Sequence, residues 1–469
     1  MKLNNLSNYK KITDNSKEVE PHSIFVAIKG HSRDGHDFIE SSIKNGATLV
    51  IADARYVGDR SVSDGVELVV VEDSKVAFGE LASKIYSLPK RIVGVTGTNG
   101  KTSVTYFYKQ ILEILGESVA SIGTLGVISS NNPDYFQKFE TLTTPGISRM
   151  YFLLDQLSQN NVDNVIVEVS SHGLHQQRMS GIKFSMGVFT SFSQDHLDYH
   201  KTMDEYLKAK LILFSEELPY GSVAVINSDM DVSSEVIDLC KNKGHKVFTY
   251  GEKGEYIKIL SIEFYSNASR VKFELEGELI EIDIPVIGAF QMHNILCALT
   301  IAIQSGYDKD KCIKTLGKLH SVPGRMQLVK ENIIVDYAHT DDALLKAMLA
   351  IKDIMKSGRL IVLFGCGGDR DKKKRKLMGE VVNKVADLAI VTDDNPRTED
   401  PSEIRQEIMQ YCNKAVEVDG RKEAIKKALE LKKKEDFLLI AGKGHENYQI
   451  IGTKKFPFDD TEIVKELLK

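Results

Sequence analysis

The chain has 469 residues, 42% of them hydrophobic and 27% charged, which is the balance of a soluble globular protein of roughly three domains. Its net charge of −5 offers no bulk basic field for nucleic acid, and its five scattered cysteines, with no CxxC pair, argue against a disulfide framework or a zinc site and fit a reducing cytosol. The opening MKLNNLSNYKK lacks an apolar signal region and no run of about 18 apolar residues exists, so neither a secretory signal nor a membrane span is expected, and the location expected is cytoplasmic.

Residues 1–88 read as a small α/β domain, with strand-like runs at Ile24–Ile28, Leu49–Ile51 and Val66–Val71 and helical stretches between or after them. Pro89 marks a boundary. Residues 89–320 read as a second domain. Its buried-strand candidates are Ile92–Val95, Val165–Val169, Met186–Thr190 and Val223–Ile226, separated by helical stretches, which predicts a mostly parallel sheet. In "RVKFELEGELIEIDIPV" apolar and charged residues alternate, the pattern of a half-buried antiparallel hairpin, and a helix is expected over 291–303. "HSVPGRMQ" reads as a linker. The α/β rhythm then restarts at Ile333–Val335, Leu360–Phe364, Leu388–Val391 and Phe437–Ile440, which predicts a Rossmann-like third domain over 321–469.

Between the run Ile92–Val95 and a helical segment stands Gly97-Thr98-Asn99-Gly100-Lys101-Thr102. Phosphate binding needs backbone amides without side chains in the way, a lysine to neutralise oxygen charge, and a hydroxyl at the helix start for magnesium. This loop supplies all three in the short form GxxGK[ST], with Val95 where the longer motif has its first glycine. Glu168 ends the next strand, where a carboxylate faces the ligand crevice of a parallel sheet and can hold Mg²⁺. Asp195, His196, Asp198, Tyr199 and His200 crowd after the following strand, as a site does. The helix after them carries Lys208 and Lys210, and nothing in the residues alone tells the two lysines apart.

GTNGKT (97–102), EVSSHGL (168–174), DHLDYH (195–200), HN (293–294), PGR (323–325), DYAHT (336–340), GCGGDRD (365–371), DNPR (394–397) and GKGHE (442–446) occur in this order along the chain. Together they resemble the Mur ligase family, the ATP-dependent enzymes that build the peptide of bacterial cell-wall precursors. Within it the likeness is to the third ligase, which adds an amino acid to UDP-N-acetylmuramoyl-L-alanyl-D-glutamate. The resemblance implies that Gly97, Thr98, Asn99, Gly100, Lys101, Thr102 and Ser103 hold the ATP phosphates, and that Asn294, Arg325, Asp336 and His339 contact the nucleotide. Lys101, Glu168, His196 and Lys210 would form the catalytic set. Thr102, Glu168 and His196 would serve two Mg²⁺ ions together with Lys210, which matches the family's carbamylated lysine. A carbamate turns that cation into an anionic oxygen ligand.

For the uridine substrate the resemblance implies Ser16, His31, Ser32 and Arg33 near the UDP group, with Thr143, Thr144, Ser170, Gln176 and Arg178 on the sugar-peptide part. Leu142 replaces a common asparagine, which puts one substrate hydrogen bond in doubt, and Asp341 replaces a proline, a change of turn chemistry. DNPR resembles the diaminopimelate-adding members. Meso-diaminopimelate has one carboxylate more than lysine, and a guanidinium can grip it bidentately. Arg397 is expected there, with Asp394 and Asn395 on the neighbouring ammonium; Pro396, Arg370, Gly442 and Glu446 belong to the same pocket by family likeness.

The implied reaction moves the γ-phosphoryl of ATP onto the D-glutamate γ-carboxylate, and the amine of diaminopimelate then attacks the acyl phosphate. Closure of the third domain over the second, with Arg325 moving, is expected to keep water out. Asp195, His196 and His339 are all candidates for the general base. The expected protein is a monomer. The alternatives are a lysine-adding member, another Mur or folylpolyglutamate-type ligase, a P-loop GTPase or motor ATPase, and a degenerate scaffold. The absence of an NKxD motif argues against the GTPase.

Overall fold

Short β-branched runs between amphipathic helices dictate layered α/β sheets, and the computed structural model has them. It describes residues 6–30, 33–58, 62, 65–139, 142–265 and 267–469. His31 and Ser32 lie outside the described residues. The chain divides into two compact units, Met1–Lys258 with Leu296–Cys312, and Ile259–Ile295 with Ile313–Lys469.

The first unit opens with four parallel strands in sequential order: β1 (Lys11–Thr13), β2 (Ser23–Ala27), β3 (Ala47–Asp53) and β4 (Glu67–Val71). β2 is apolar at almost every position because both its faces are covered. Ile24 and Val26 pack with Phe78 and Leu81 of the helix Ser74–Ile85, while Phe25 and Ala27 pack with Val50 and Ala52.

A larger sheet follows in the same unit: β5 (Arg91–Thr96), β6 (Val119–Gly123), β7 (Gly126–Ser129), β8 (Asn164–Glu168), β9 (Met186–Phe189), β10 (Val223–Asn227) and β11 (Lys246–Gly251). Their order is β11-β10-β9-β5-β8-β6-β7. All neighbours are parallel except β6 and β7. β5 is central, and the chain reverses direction across the sheet around it, so the loops after β5, β8, β6 and β9 converge at the carboxyl edge. β12 (Ile257–Phe264) begins by pairing with β11.

In the second unit, β13 (Ser269–Leu275) and β14 (Glu278–Ile284) form the expected antiparallel hairpin. The helix expected over 291–303 spans Ala289–Gln304, and the chain passes into the first unit within it, at Leu296. A six-stranded sheet then comprises β15 (Gln327–Lys330), β16 (Ile333–Asp336), β17 (Leu360–Phe364), β18 (Leu388–Val391), β19 (Ala415–Glu417) and β20 (Phe437–Ala441), in the order β15-β16-β20-β17-β18-β19. It is parallel apart from β15. Leu360, Val362 and Phe364 face one core and Ile361 and Leu363 the other, so this sheet too is covered on both faces. A two-stranded ribbon, β21 (Tyr448–Ile451) and β22 (Lys454–Pro457), follows. All five cysteines are buried and free. Among the described residues no helix is long and apolar enough to cross a membrane.

Candidate active site

The phosphate loop leaves β5 at Thr96 and enters the helix Lys101–Ile114 through Gly100, whose φ of +88° is left-handed. A side chain on Gly97 would collide with Thr190, which follows β9. The loop is strapped to that segment. Thr98 N donates to Ser191 O at 2.8 Å, Asn99 N to Ser191 Oγ at 2.8 Å, and Thr190 Oγ1 to Asn99 O at 2.6 Å. The Lys101 ammonium donates to the carbonyls of Gly97 and Thr98, at 2.8 and 2.9 Å. Thr102 and Ser103 open the helix and are buried. The loop has the backbone, lysine and hydroxyl of an anion site at a helix N-terminus.

Glu168 ends β8 one strand over, in register with Val95, and is buried. Its carboxylate accepts from Thr102 Oγ1 (3.0 Å), Thr124 Oγ1 (3.1 Å) and Thr124 N (2.8 Å). Gly123 leaves room for this carboxylate, which a Cβ there would force to move. Thr124 was not identifiable from sequence; a threonine after a short strand carries no signal of its own.

Lys210 and Lys208 separate cleanly in the structure. Lys208 is exposed and paired with Asp204. Lys210 is 1% exposed, donates to Gly97 O at 2.8 Å and sits 4.3 Å from the Tyr206 ring centroid. Burial, reinforced by the Lys101 charge, pushes its amine well below the usual lysine range. The helix that carries it, Met203–Ile212, is capped by Thr202, whose hydroxyl accepts from Glu205 N. His196 has left-handed backbone (φ +53°), stacks edge-on against His172 at 4.8 Å and lies 3.5 Å from Asp195. Burial lowers the pKa of His200 to about 4, and partial desolvation lowers those of His172 and of His196, whose side chain stays 45% exposed.

Among the described residues no group of three His, Cys, Asp or Glu side chains gathers as a metal cage. The adjacent Thr102 hydroxyl and Glu168 carboxylate suit Mg²⁺, which binds through one or two carboxylates and keeps waters and phosphates for the rest. An unmodified Lys210 is a donor rather than a ligand and fits a cation only after conversion to an anion.

Four of the residues expected on the sugar-peptide form one network. Thr144 Oγ1 accepts from Ser170 N at 2.9 Å, Arg178 Nη1 donates to Thr144 O at 2.6 Å, and Arg178 Nη2 donates to Gln176 Oε1 at 2.7 Å. Thr143 Oγ1 lies 3.1 Å from Thr124 Oγ1, which ties this network to Glu168. Ser170 also caps the short helix Ser171–His175. Leu142 is exposed. Ser16 starts a short turn capped by Asn15, and Arg33 is exposed.

In the second unit, loops after β17, β18 and β20 converge at the carboxyl edge. Arg397 has φ +53°, its backbone bridges Ile451, and its Nη1 donates to Gly368 O at 2.8 Å. Gly367 and Gly368 leave no room for a Cβ beside Arg397 and Pro396, and Gly367 also faces Arg370, which is exposed. Asp394 and Asn395 follow β18, while Gly442 (φ +113°) and Glu446 follow β20. The Asn395 side chain, expected on a ligand ammonium, makes three hydrogen bonds within the unit. Nδ2 donates to Glu446 Oε2 at 3.0 Å, and Oδ1 accepts from Lys443 Nζ at 3.0 Å and Ile450 N at 2.9 Å. Lys443, which the sequence reading passed over between two glycines, is fully buried.

The remaining motifs of this unit pack on one another. Asp336 accepts from Met326 N (2.7 Å) and Ala338 N (2.8 Å), holding the PGR turn to the end of β16. Its burial raises its pKa, with Arg325 opposing. Arg325 lies over the Tyr337 ring at 4.6 Å, and Tyr337 contacts both His339 and His445. Asn294 Nδ2 donates to Gln291 Oε1 at 3.2 Å, and Gln291 Nε2 to Arg325 O at 3.2 Å.

Residues 8–86 match the family description "Mur ligase family, catalytic domain", residues 95–302 "Mur ligase middle domain", and residues 324–444 "Mur ligase, glutamate ligase domain". A UDP-N-acetylmuramoyl-L-alanyl-D-glutamate–2,6-diaminopimelate ligase of Rickettsia rickettsii is 42% identical over 467 residues, 98% of this chain and 96% of that one. One of Agrobacterium fabrum is 38% identical, over 97% and 92%. A solved structure bearing the same enzyme name matches with TM-score 0.73 and 31% identity, over 98% and 94%. A MurF ligase from Thermotoga maritima in complex with ADP shares the fold at TM-score 0.65 and 20% identity, over 99% and 98%. With family matches in both units and relatives alike from end to end, the chain belongs to the Mur ligase family.

Proposed function

We propose that the chain is an ATP-dependent ligase of peptidoglycan-precursor synthesis. It joins meso-diaminopimelate to the D-glutamate γ-carboxylate of UDP-N-acetylmuramoyl-L-alanyl-D-glutamate, working as a cytoplasmic monomer. Residues 1–88 would serve the UDP end, 89–320 the ATP chemistry and 321–469 the amino acid. The observation that carries this reading is Arg397, a guanidinium anchored by Gly368 O in a loop shared with Asp394. That is the pairing an ammonium and a carboxylate on one carbon require.

A carboxylate does not condense with an amine at neutral pH. Transfer of the γ-phosphoryl gives an acyl phosphate and ADP; the amine attacks, and inorganic phosphate leaves the tetrahedral intermediate. The amides at the start of the helix Lys101–Ile114 and the Lys101 ammonium would neutralise the phosphates. Magnesium held by Thr102 and Glu168, and by Lys210 once carbamylated, with His196 beside them, would supply charge neutralisation between the two anions. A depressed Lys210 pKa favours the neutral amine that reacts with carbon dioxide. Thr143, Thr144, Ser170, Gln176 and Arg178 would orient the substrate whose carboxylate is activated. Asp195, His196 and His339 are the candidates to accept the proton of the incoming ammonium.

The deciding experiment is phosphate release with ATP and the UDP-dipeptide, in the presence of meso-diaminopimelate, L-lysine or no amino acid. Turnover confined to diaminopimelate is the expected result. Turnover with lysine alone would keep the ligase and remove the role of Arg397. Silence with all three would overturn the reading.

A further inference from the structure

Glu168 ends β8 on a long side chain, and only a carboxylate held in one orientation can share a cation with the phosphate loop. Two threonines hold it. Thr102 Oγ1 donates to Oε2 at 3.0 Å, and that hydroxyl oxygen is itself expected on the cation. Thr124 engages both carboxylate oxygens: its N donates to Oε1 at 2.8 Å and its Oγ1 to Oε2 at 3.1 Å. A single bond lets a carboxylate turn about it. Bonds from one residue to each oxygen fix its plane, and with it the direction of the lone pairs left for a metal.

The direction of these bonds extends the argument. An ionised carboxylate only accepts, so both threonine hydroxyls must donate to it, and a hydroxyl has one proton to give. Thr124 has none left for Thr143, whose Oγ1 lies 3.1 Å away, so Thr143 donates to Thr124. The next residue grips the same glutamate by its backbone. Thr144 Oγ1 accepts from Ser170 N at 2.9 Å and donates to Glu168 O at 2.9 Å. Thr143 and Thr144, both expected on the substrate, thus reach the two ends of Glu168, and Thr124 is the link at the carboxylate end.

We infer that Thr124 is a positioning residue for the magnesium-dependent step: its hydroxyl turns the Glu168 carboxylate toward the cation and ties it to Thr143 on the substrate side. The role needs a hydroxyl at this point, so serine can fill it and valine, nearly equal in shape, cannot. The inference rests on the ligase reading proposed above, with magnesium at Thr102 and Glu168.

The test is the Kd of the non-hydrolysable analogue β,γ-imido-ATP, with magnesium and in EDTA, for wild type, Thr124→Val and Thr124→Ser. Magnesium should tighten binding to wild type and to Thr124→Ser alike. In Thr124→Val that gain should shrink about tenfold, while the Kd in EDTA stays within about twofold, because Lys101 and the loop amides are untouched. In phosphate-release assays kcat of Thr124→Val should fall by about tenfold to a hundredfold, with KM for meso-diaminopimelate within about twofold. A magnesium gain in Thr124→Val equal to that of wild type would overturn the inference. So would equal losses in Thr124→Val and Thr124→Ser, which would reduce the residue to a packing role. If Thr124→Val does not fold, as judged by its melting curve, Thr124→Ala compared with Thr124→Ser decides by the same ratio. Wild-type protein whose affinity for the analogue ignores magnesium would instead remove the magnesium site from the proposed function, and this inference with it.

Discussion

The proposed chemistry turns on two side chains, Arg397 and Lys210. Arg397 presents a planar fork held from behind by Gly368 O. Lysine keeps the charge but loses the fork, so Arg397→Lys should lower kcat/KM for diaminopimelate by about a hundredfold, mainly through KM. Phosphate release at varied diaminopimelate checks this, and an unchanged KM would remove the residue from recognition. Lys210 is buried, with its amine pushed toward the neutral form. Isotopically labelled bicarbonate should give a carbamate signal by NMR in wild type and none in Lys210→Ala, whose kcat should fall by about a thousandfold or more. A signal that persists in the variant would locate the carbamate elsewhere.

At the scale of elements, the site depends on how closely neighbouring strand ends approach. Gly123, at the end of β6, makes room for the Glu168 carboxylate at the end of β8. Gly123→Ala should displace that carboxylate, cutting kcat by about tenfold or more and stability by about 1–3 kcal/mol, with KM for diaminopimelate unaffected. Melting curves and steady-state kinetics check both, and an unaltered kcat would show that Glu168 tolerates movement. β17 and β18 could be read from sequence to the residue, since a strand covered on both faces is an uninterrupted apolar run bounded by polar residues. β7, β19 and β22 could not. They are three or four residues long and lie at edges or in a ribbon, with at most part of their length buried, so little apolar signal remains. The same logic applies to the site. Glycine-lysine-threonine spacing announces a phosphate loop locally, whereas Thr124 and Lys443 are tied to partners as far as 44 and 48 residues away.

At the scale of the whole molecule, acid stability follows from the buried imidazoles. His200 and His445 are both held at about 4, chiefly by burial, against an ordinary value near 6.5. Between those values the unfolded chain binds more protons at these two sites than the folded one, so they lose stability as pH drops from about 6.5 to 4, while Glu217, raised to about 7 by burial, opposes them between about 7 and 4.5. Asp34, Glu399 and Asp436, held at about 2, add a second loss below about pH 4. Calorimetry should find Tm level from pH 8 to 7, then declining toward pH 4.5 because two histidines outweigh one glutamate; a level Tm across that range would contradict that balance.

The five cysteines have a practical consequence. Each is buried, and burial raises every one of their thiol pKa values, that of Cys366 to about 12. Thiolate is the reactive form, so the native protein should be nearly inert to maleimides. A cysteine introduced on each unit would then be the one labelled there, and a fluorophore pair could follow the separation of the units as nucleotide and substrates are added, with no native thiol to remove.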